Sequence, residues 1–262
     1  MHLIIQLTAI ITLVTLPLFS ITQEGVQMFL VHEDEVITSE MSDYMKAAEK
    51  LKQAMVDHNI TDKAYYMYST DDNRFLYVSP IESYAALDNP TFASLAKELG
   101  KDHMQKLLSN FEGTYTNQRQ YIIHYHPELS FNADKFHPED NNYYHWLIKQ
   151  VHTDKYEKFI EHLKDWKTLY EKTTPAPKYG YSVYTGGIGT DQPFSYIMFW
   201  GENKVDFHTE YQEVAQRQGE PRKALSPIMQ SLLKESNKVE GRYHPELSHP
   251  RPSEIETARE NE

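Results

Sequence analysis

One hexapeptide occurs twice. Tyr125-His126-Pro127-Glu128-Leu129-Ser130 recurs letter for letter as Tyr243-His244-Pro245-Glu246-Leu247-Ser248, 118 residues further on. An internal repeat at a fixed offset constrains a fold more than composition does, because both copies must reach one conformation and find a common core. The residues around the motif follow the same offset, so the 262-residue chain reads as one unit written twice.

Hydrophobic periodicity gives each unit the same order of elements. In the first, 28–130, a strand over 28–36 precedes a helix that Ser39 is expected to cap. Its apolar stripe is Met41, Tyr44, Met45, Ala48, Leu51 and Met55. Two Tyr- and Val-rich strands, 64–69 and 75–79, flank Thr70-Asp71-Asp72-Asn73, which is turn chemistry, and read as a hairpin. A helical region over 81–111 breaks near Pro90 and Gly100, and a closing strand, 118–126, stops at Pro127. In the second unit, 143–248, a strand over 143–152 leads to a helix opened by Asp154, with Glu157 completing an approximate capping box. Lys167 is the one residue off its stripe, placed to snorkel. A hairpin (178–184 and 194–200), helices over 203–218 and 225–236, and a closing strand over 240–244 follow. The segment 131–142, rich in Asn, Asp, Pro and His, reads as a linker, and 249–262 as a disordered tail.

Residues 1–22 carry no Asp, Glu, Lys or Arg, and Leu3 to Phe19 is largely apolar. This reads as a signal peptide removed before Gln23, giving an exported, periplasmic or extracellular protein without a membrane span. The rival is an uncleaved anchor. There is no Cys, which excludes disulfides, thiolate metal sites and a Cys nucleophile. A net charge of −12 opposes binding to nucleic acid.

Two consecutive β-α-β-β-α-β units with Tyr-rich strands and the Tyr-His-Pro-Glu-Leu-Ser ends resemble the dimeric α/β barrel superfamily. The resemblance implies an α+β fold: two tandem ferredoxin-like units that pair their antiparallel sheets into a pseudo-dimeric barrel, as a monomer or a further homodimer. That group includes quinol monooxygenases and heme-degrading or heme-dependent enzymes. Its catalytic residues are not shared across the group, so none is carried over.

The duplicated motif supplies the candidate ligand-binding residues: His124, Tyr125, His126, Glu128, Tyr243, His244 and Glu246. His124 and His126 share one face of a strand, a spacing that allows a metal. The second copy has Arg242 in place of His124, and no metal site is assigned. The alternative for His126 and His244 is a strand end and turn with the imidazole bonded to a carboxylate. Glu128 and Glu246 form an acid–base pair only if the fold brings them together. His32-Glu33-Asp34-Glu35 reads as a solvated strand end, and Thr185-Gly186-Gly187-Ile188-Gly189-Thr190-Asp191 as a long hairpin loop without P-loop character. The 19 Tyr, 11 Phe and 3 Trp suit either core packing or walls for a planar apolar ligand. The leading expectation is an exported, non-catalytic module for a small aromatic or apolar ligand or a protein partner. The alternative is an exported oxygenase or heme-handling enzyme.

Overall fold

The computed structural model describes residues 27–133 and 141–250. The segment read as a signal peptide, most of the segment read as a linker and the residues beyond 250 lie outside the described residues. Residues 27–125 run β1 (Gln27–Val36), α1 (Met41–Asp57), β2 (Tyr66–Thr70), β3 (Arg74–Ile81), α2 (Ala93–Leu99), α3 (Lys101–Leu108) and β4 (Tyr115–Tyr125). Residues 143–243 run β5 (Tyr143–Val151), α4 (Tyr156–Lys172), β6 (Gly180–Gly186), β7 (Phe194–Gly201), α5 (Lys204–Leu232) and β8 (Leu233–Tyr243).

All strand pairs are antiparallel. The first half pairs in the order β4-β1-β3-β2 and the second in the order β8-β5-β7-β6. Two seams, β2 with β8 and β4 with β6, close the halves into one eight-stranded barrel. Closure within one chain removes the exposed edges that each four-stranded sheet would present alone.

The helices cover the outside. From α1, Tyr44, Ala47, Ala48, Leu51 and Met55 are buried against the first sheet. From α4, Phe159, Leu163 and Tyr170 are buried against the second, while His162 is buried with its Nε2 3.0 Å from the Leu225 carbonyl of α5. The helix starts differ from expectation. Short 3-10 turns at Thr38–Glu40 and Thr153–Lys155 lead into α1 and α4, and neither Ser39 nor Asp154 caps them. Ser39 bonds Glu40 instead. Lys167 reaches across to the Glu128 carbonyl at 3.1 Å.

The end of the second half departs most from the sequence reading. Helix α5 runs to Leu232 through a break at Gly219, whose φ of 47° sits in the left-handed region that favours glycine. Residues 233–236, expected as helix, begin β8, because they pair with β5 from Val151 to Lys149. That cross-strand ladder outweighs a weak local helical pattern.

The hexapeptide copies fasten the two seams. His126 N–H donates to the Val183 carbonyl at 2.9 Å, and Ser130 Oγ accepts the Val183 N–H at 2.9 Å while donating to the His126 carbonyl. His244 and Ser248 do the same to Met67 across the other seam, at 2.8 Å for both contacts. Each copy then extends by a short bridge, Phe131 to Tyr181 and His249 to Tyr65. His249, placed in the tail by sequence, therefore belongs to the second seam.

Candidate active site in the barrel lumen

Strand alternation points every second side chain inward, and all eight strands contribute to one cavity. The cavity is narrow, with about 70 Å³ open to the centre of a water-sized sphere. Val31, Leu76, Val78, Ile123, Ile148, Met198 and Val239 make its aliphatic wall. Tyr68, Trp146 and Tyr184 supply aromatic surface, with Tyr68 edge-on to Trp146 at 6.2 Å. Thr70, Arg74, Tyr121 and Tyr196 bring polar atoms to the same lining. A mostly apolar pocket with a few converging polar groups is the usual form of a small-molecule site.

Behind these polar groups sits Glu33, only 4% exposed. Its Oε2 accepts from Tyr121 Oη at 2.7 Å, and its Oε1 meets the Arg119 guanidinium at 2.8 Å and Arg74 at 3.6 Å. Tyr121 Oη lies 3.3 Å from Tyr196 Oη. Asp72 holds Arg74 from the other side at 2.7 Å. Burial opposes the charge on Arg74, but Asp72 and Glu33 more than offset it, so the guanidinium stays firmly protonated. Burial pushes the Tyr121 phenol well above its ordinary range, with Tyr196 and Glu33 adding to the effect. Tyr196 is pushed up mainly by burial as well. The lumen thus presents neutral phenols and one cation, backed by the Glu33 carboxylate that accepts the Tyr121 hydroxyl.

The acidic run at the end of β1 is therefore not a solvated strand end. Glu33 faces the lumen. Asp34, 3% exposed, faces α1, where it accepts from Tyr44 Oη at 2.7 Å and meets His32 Nε2 at 3.1 Å. Charge alone could not disclose this, because burial of the carboxylates depends on Arg119 and Tyr44, which come from elsewhere in the chain.

The residues singled out from the hexapeptide lie at the seams. His126 spans Glu128 Oε1 at 2.9 Å and Thr185 Oγ1 at 2.8 Å. His244 spans Glu246 Oε1 at 2.9 Å and Ser69 Oγ at 2.8 Å. Both nitrogens of each ring are engaged. Burial lowers the His244 imidazole from its ordinary value, outweighing Glu246. Glu128 and Glu246 belong to different seams, with three strands separating β4 from β8 in either direction around the barrel, so the fold does not pair them. His124 lies on the outer side of β4, with its Nε2 3.1 Å from Tyr84 Oη. Tyr125 and Tyr243 turn inward and back the lumen wall, with ring centroids 5.4 Å from Tyr184 and 5.3 Å from Tyr68. The Gly-rich hairpin loop is pinned to β4: Gly187 N–H donates to the Ile122 carbonyl and Ile122 N–H to that of Ile188.

Sequence reasoning missed Glu33, Arg74, Arg119, Tyr121 and Tyr196 as a group. They come from β1, β3, β4 and β7, and no spacing within one strand announces them. The one available signal was alternation, which sets Glu33 on the same face as Val31.

The lumen does not fit a heme. An axial ligand is most often an imidazole or thiolate. Among the described residues no His lines the cavity, the chain has no Cys, and the Tyr121 and Tyr196 phenols are held protonated by burial. Donors suited to a metal lie outside the barrel wall, at His145, His208 and Glu240.

No protein-family model and no curated protein sequence matches the chain. Solved structures do. An anthrone oxidase-like protein matches with a TM-score of 0.56 at 15% identity, over 83% of this chain and 91% of its own. A provisionally designated monooxygenase from Fusobacterium nucleatum matches with a TM-score of 0.56 at 12% identity, over 84% and 93%. Another from Lactobacillus acidophilus gives 0.52 at 13%, over 87% and 97%. Likeness at these identities shows the fold alone, an α+β architecture whose eight antiparallel strands close into a barrel.

Proposed function

We propose that this chain is an oxygenase that binds a small, planar, largely apolar substrate in the barrel lumen and oxidises it with molecular oxygen. The observation that carries the reading is the Arg74–Tyr121–Tyr196 group at an otherwise apolar cavity, with Glu33 behind it. The fold neighbours support the class, since they bear oxidase and monooxygenase designations. This favours the enzyme over a purely binding module.

The chemistry asks little of the protein. A substrate with a C–H made acidic by conjugation to a carbonyl, directly or across an aromatic ring, loses a proton and becomes an enolate or its aryl equivalent. Arg74 and the Tyr196 hydroxyl stabilise the oxyanion where charge develops. Tyr121 takes the substrate proton as it passes its own to Glu33, which makes the carboxylate the terminal base. The electron-rich carbanion reduces oxygen, the peroxide anion takes back the proton held at Glu33, the hydroperoxide loses water, and a new carbonyl remains. For anthrone the balance is one substrate and one O₂ to one anthraquinone and one water. The same proposal takes the two halves as duplicated ferredoxin-like units and the apolar segment from Leu3 to Phe19 as an export signal, which the intact mass of the exported chain would test.

Anthrone in air-saturated buffer is the test. Oxygen uptake and anthraquinone absorbance are followed with the native chain and with Arg74→Ala. Quenching of Trp146 fluorescence reports occupancy of the lumen separately. Enzyme-dependent oxygen uptake that falls about a hundredfold in Arg74→Ala is expected. Quenching without oxygen uptake would return the chain to a binding role. Absence of both would remove the lumen as the site.

A further inference from the structure

We infer that His145, His208 and Glu240 form a binding site for one divalent first-row transition ion, on the outer face of the second sheet. One ligand atom from each lies within 4.8 Å of the others. His208 Nε2 is 3.2 Å from Glu240 Oε1, and His145 Nδ1 is 3.9 Å from the same oxygen. A tetrahedral ion with bonds near 2.0–2.2 Å sets its donors about 3.4 Å apart, so small side-chain rotations complete the cage. Two imidazoles and one carboxylate suit zinc, iron, cobalt or manganese, and they leave at least one coordination position open.

A second observation separates this group from a chance cluster. His145 is 8% exposed, and its Nδ1 is buried with no hydrogen-bond partner. A buried polar atom left unsatisfied is costly, and a metal is one of the few things that would satisfy it. The donors are also held in place. His145 stacks on Phe207 at 5.8 Å, and α5 starts firmly, with Asn203 Oδ1 accepting the Asp206 N–H at 3.0 Å. His145 and Glu240 sit directly opposite each other on β5 and β8. Tyr143 Oη lies 2.9 Å from His208 Nε2 and must yield that nitrogen when an ion binds. Lys204, largely exposed, bonds the other oxygen of Glu240 and competes with the ion.

The fold does not demand these residues. In the first half the same cross-strand position, between β1 and β4, is Leu30 opposite Ile122. That pair supplies the variants for the test. The full chain is stripped with EDTA and titrated with Co²⁺, read by its d–d absorption and by metal analysis after desalting. One cobalt per chain is expected. His145→Leu and Glu240→Ile should each weaken binding about tenfold or more. Lys204→Ala, a surface change that leaves folding intact, should tighten it about threefold. A native chain that returns without cobalt overturns the site. So does full occupancy in both ligand variants, or an affinity unmoved by Lys204→Ala. None of these readouts depends on the oxygenase reading of the lumen.

Discussion

The two halves share a scaffold and place their polar residues on opposite sides of it. In the first half, Glu33 faces the lumen opposite Arg119, while Leu30 and Ile122 occupy the outer face. In the second half the matching lumen position pairs Ile148 with Asn237, and the outer position pairs His145 with Glu240. Strand register is the same, so backbone geometry does not decide where charge goes. The difference shows that the barrel tolerates either chemistry at either face, provided each buried charge has partners. The first half thus supplies most of the lumen's polar end, and the second supplies the outer donor set.

The largest test of that contrast is Glu33→Ile, which gives the first half the second half's residue. It leaves Arg74 and Arg119 without their shared carboxylate and Tyr121 without its acceptor, at an expected cost of about 3–5 kcal/mol in urea unfolding. If the loss is under about 1 kcal/mol, the Glu33 cluster is not a buried network. Next come the two seam imidazoles. His244→Ala removes a side chain 1% exposed that also stacks on Phe75, and should cost about 2–4 kcal/mol. His126→Ala, at a seam where the side chain is 16% exposed, should cost about 1–2 kcal/mol. Equal losses would show that the seams are equivalent despite their burial.

The pH dependence sharpens the same comparison. Burial holds the His244 imidazole below its ordinary value, so the unfolded chain binds its proton first. Its contribution is complete above about pH 6.5 and is lost as pH falls from there toward the lower native value. Thermal unfolding of native protein and His244→Asn between pH 7.5 and 5, with midpoints that converge on acidification, is the expected result. The smallest effect belongs to the double change His145→Leu with Glu240→Ile. It copies the first half's apolar solution and, without metal, should shift stability by no more than about 1 kcal/mol. A loss several times larger would mean that the outer donors hold the second half together by themselves.

Much of the architecture was legible because it rests on local periodicity. The stripe from Tyr44 to Met55 had to be a helix with one buried face, and the Tyr-rich runs had to be strands. Pro127 and Pro245 had to end their strands, since proline lacks the N–H a ladder needs. The start of β8 was not legible, because residues 233–236 become strand only when Lys149 and Gln150 lie beside them. The importance of the hexapeptide was plain, but its partners were not. Val183, Met67, Thr185 and Ser69 stand on the other half of the chain in each case.

The functional groups followed the same division. Alternation alone set Glu33 beside Val31 on one face and His145 beside Leu147 on the other. Which face became a lumen, and which lay under a helix, depended on closure of the two seams. The sequence by itself determined the repeat, the order of strands and helices, and the residue types available for chemistry. Only the tertiary structure decided that Glu33, Arg74, Arg119, Tyr121 and Tyr196 meet, and that His145 and Glu240 meet His208. These are contacts between residues tens of positions apart, and no local pattern encodes a distance across a barrel.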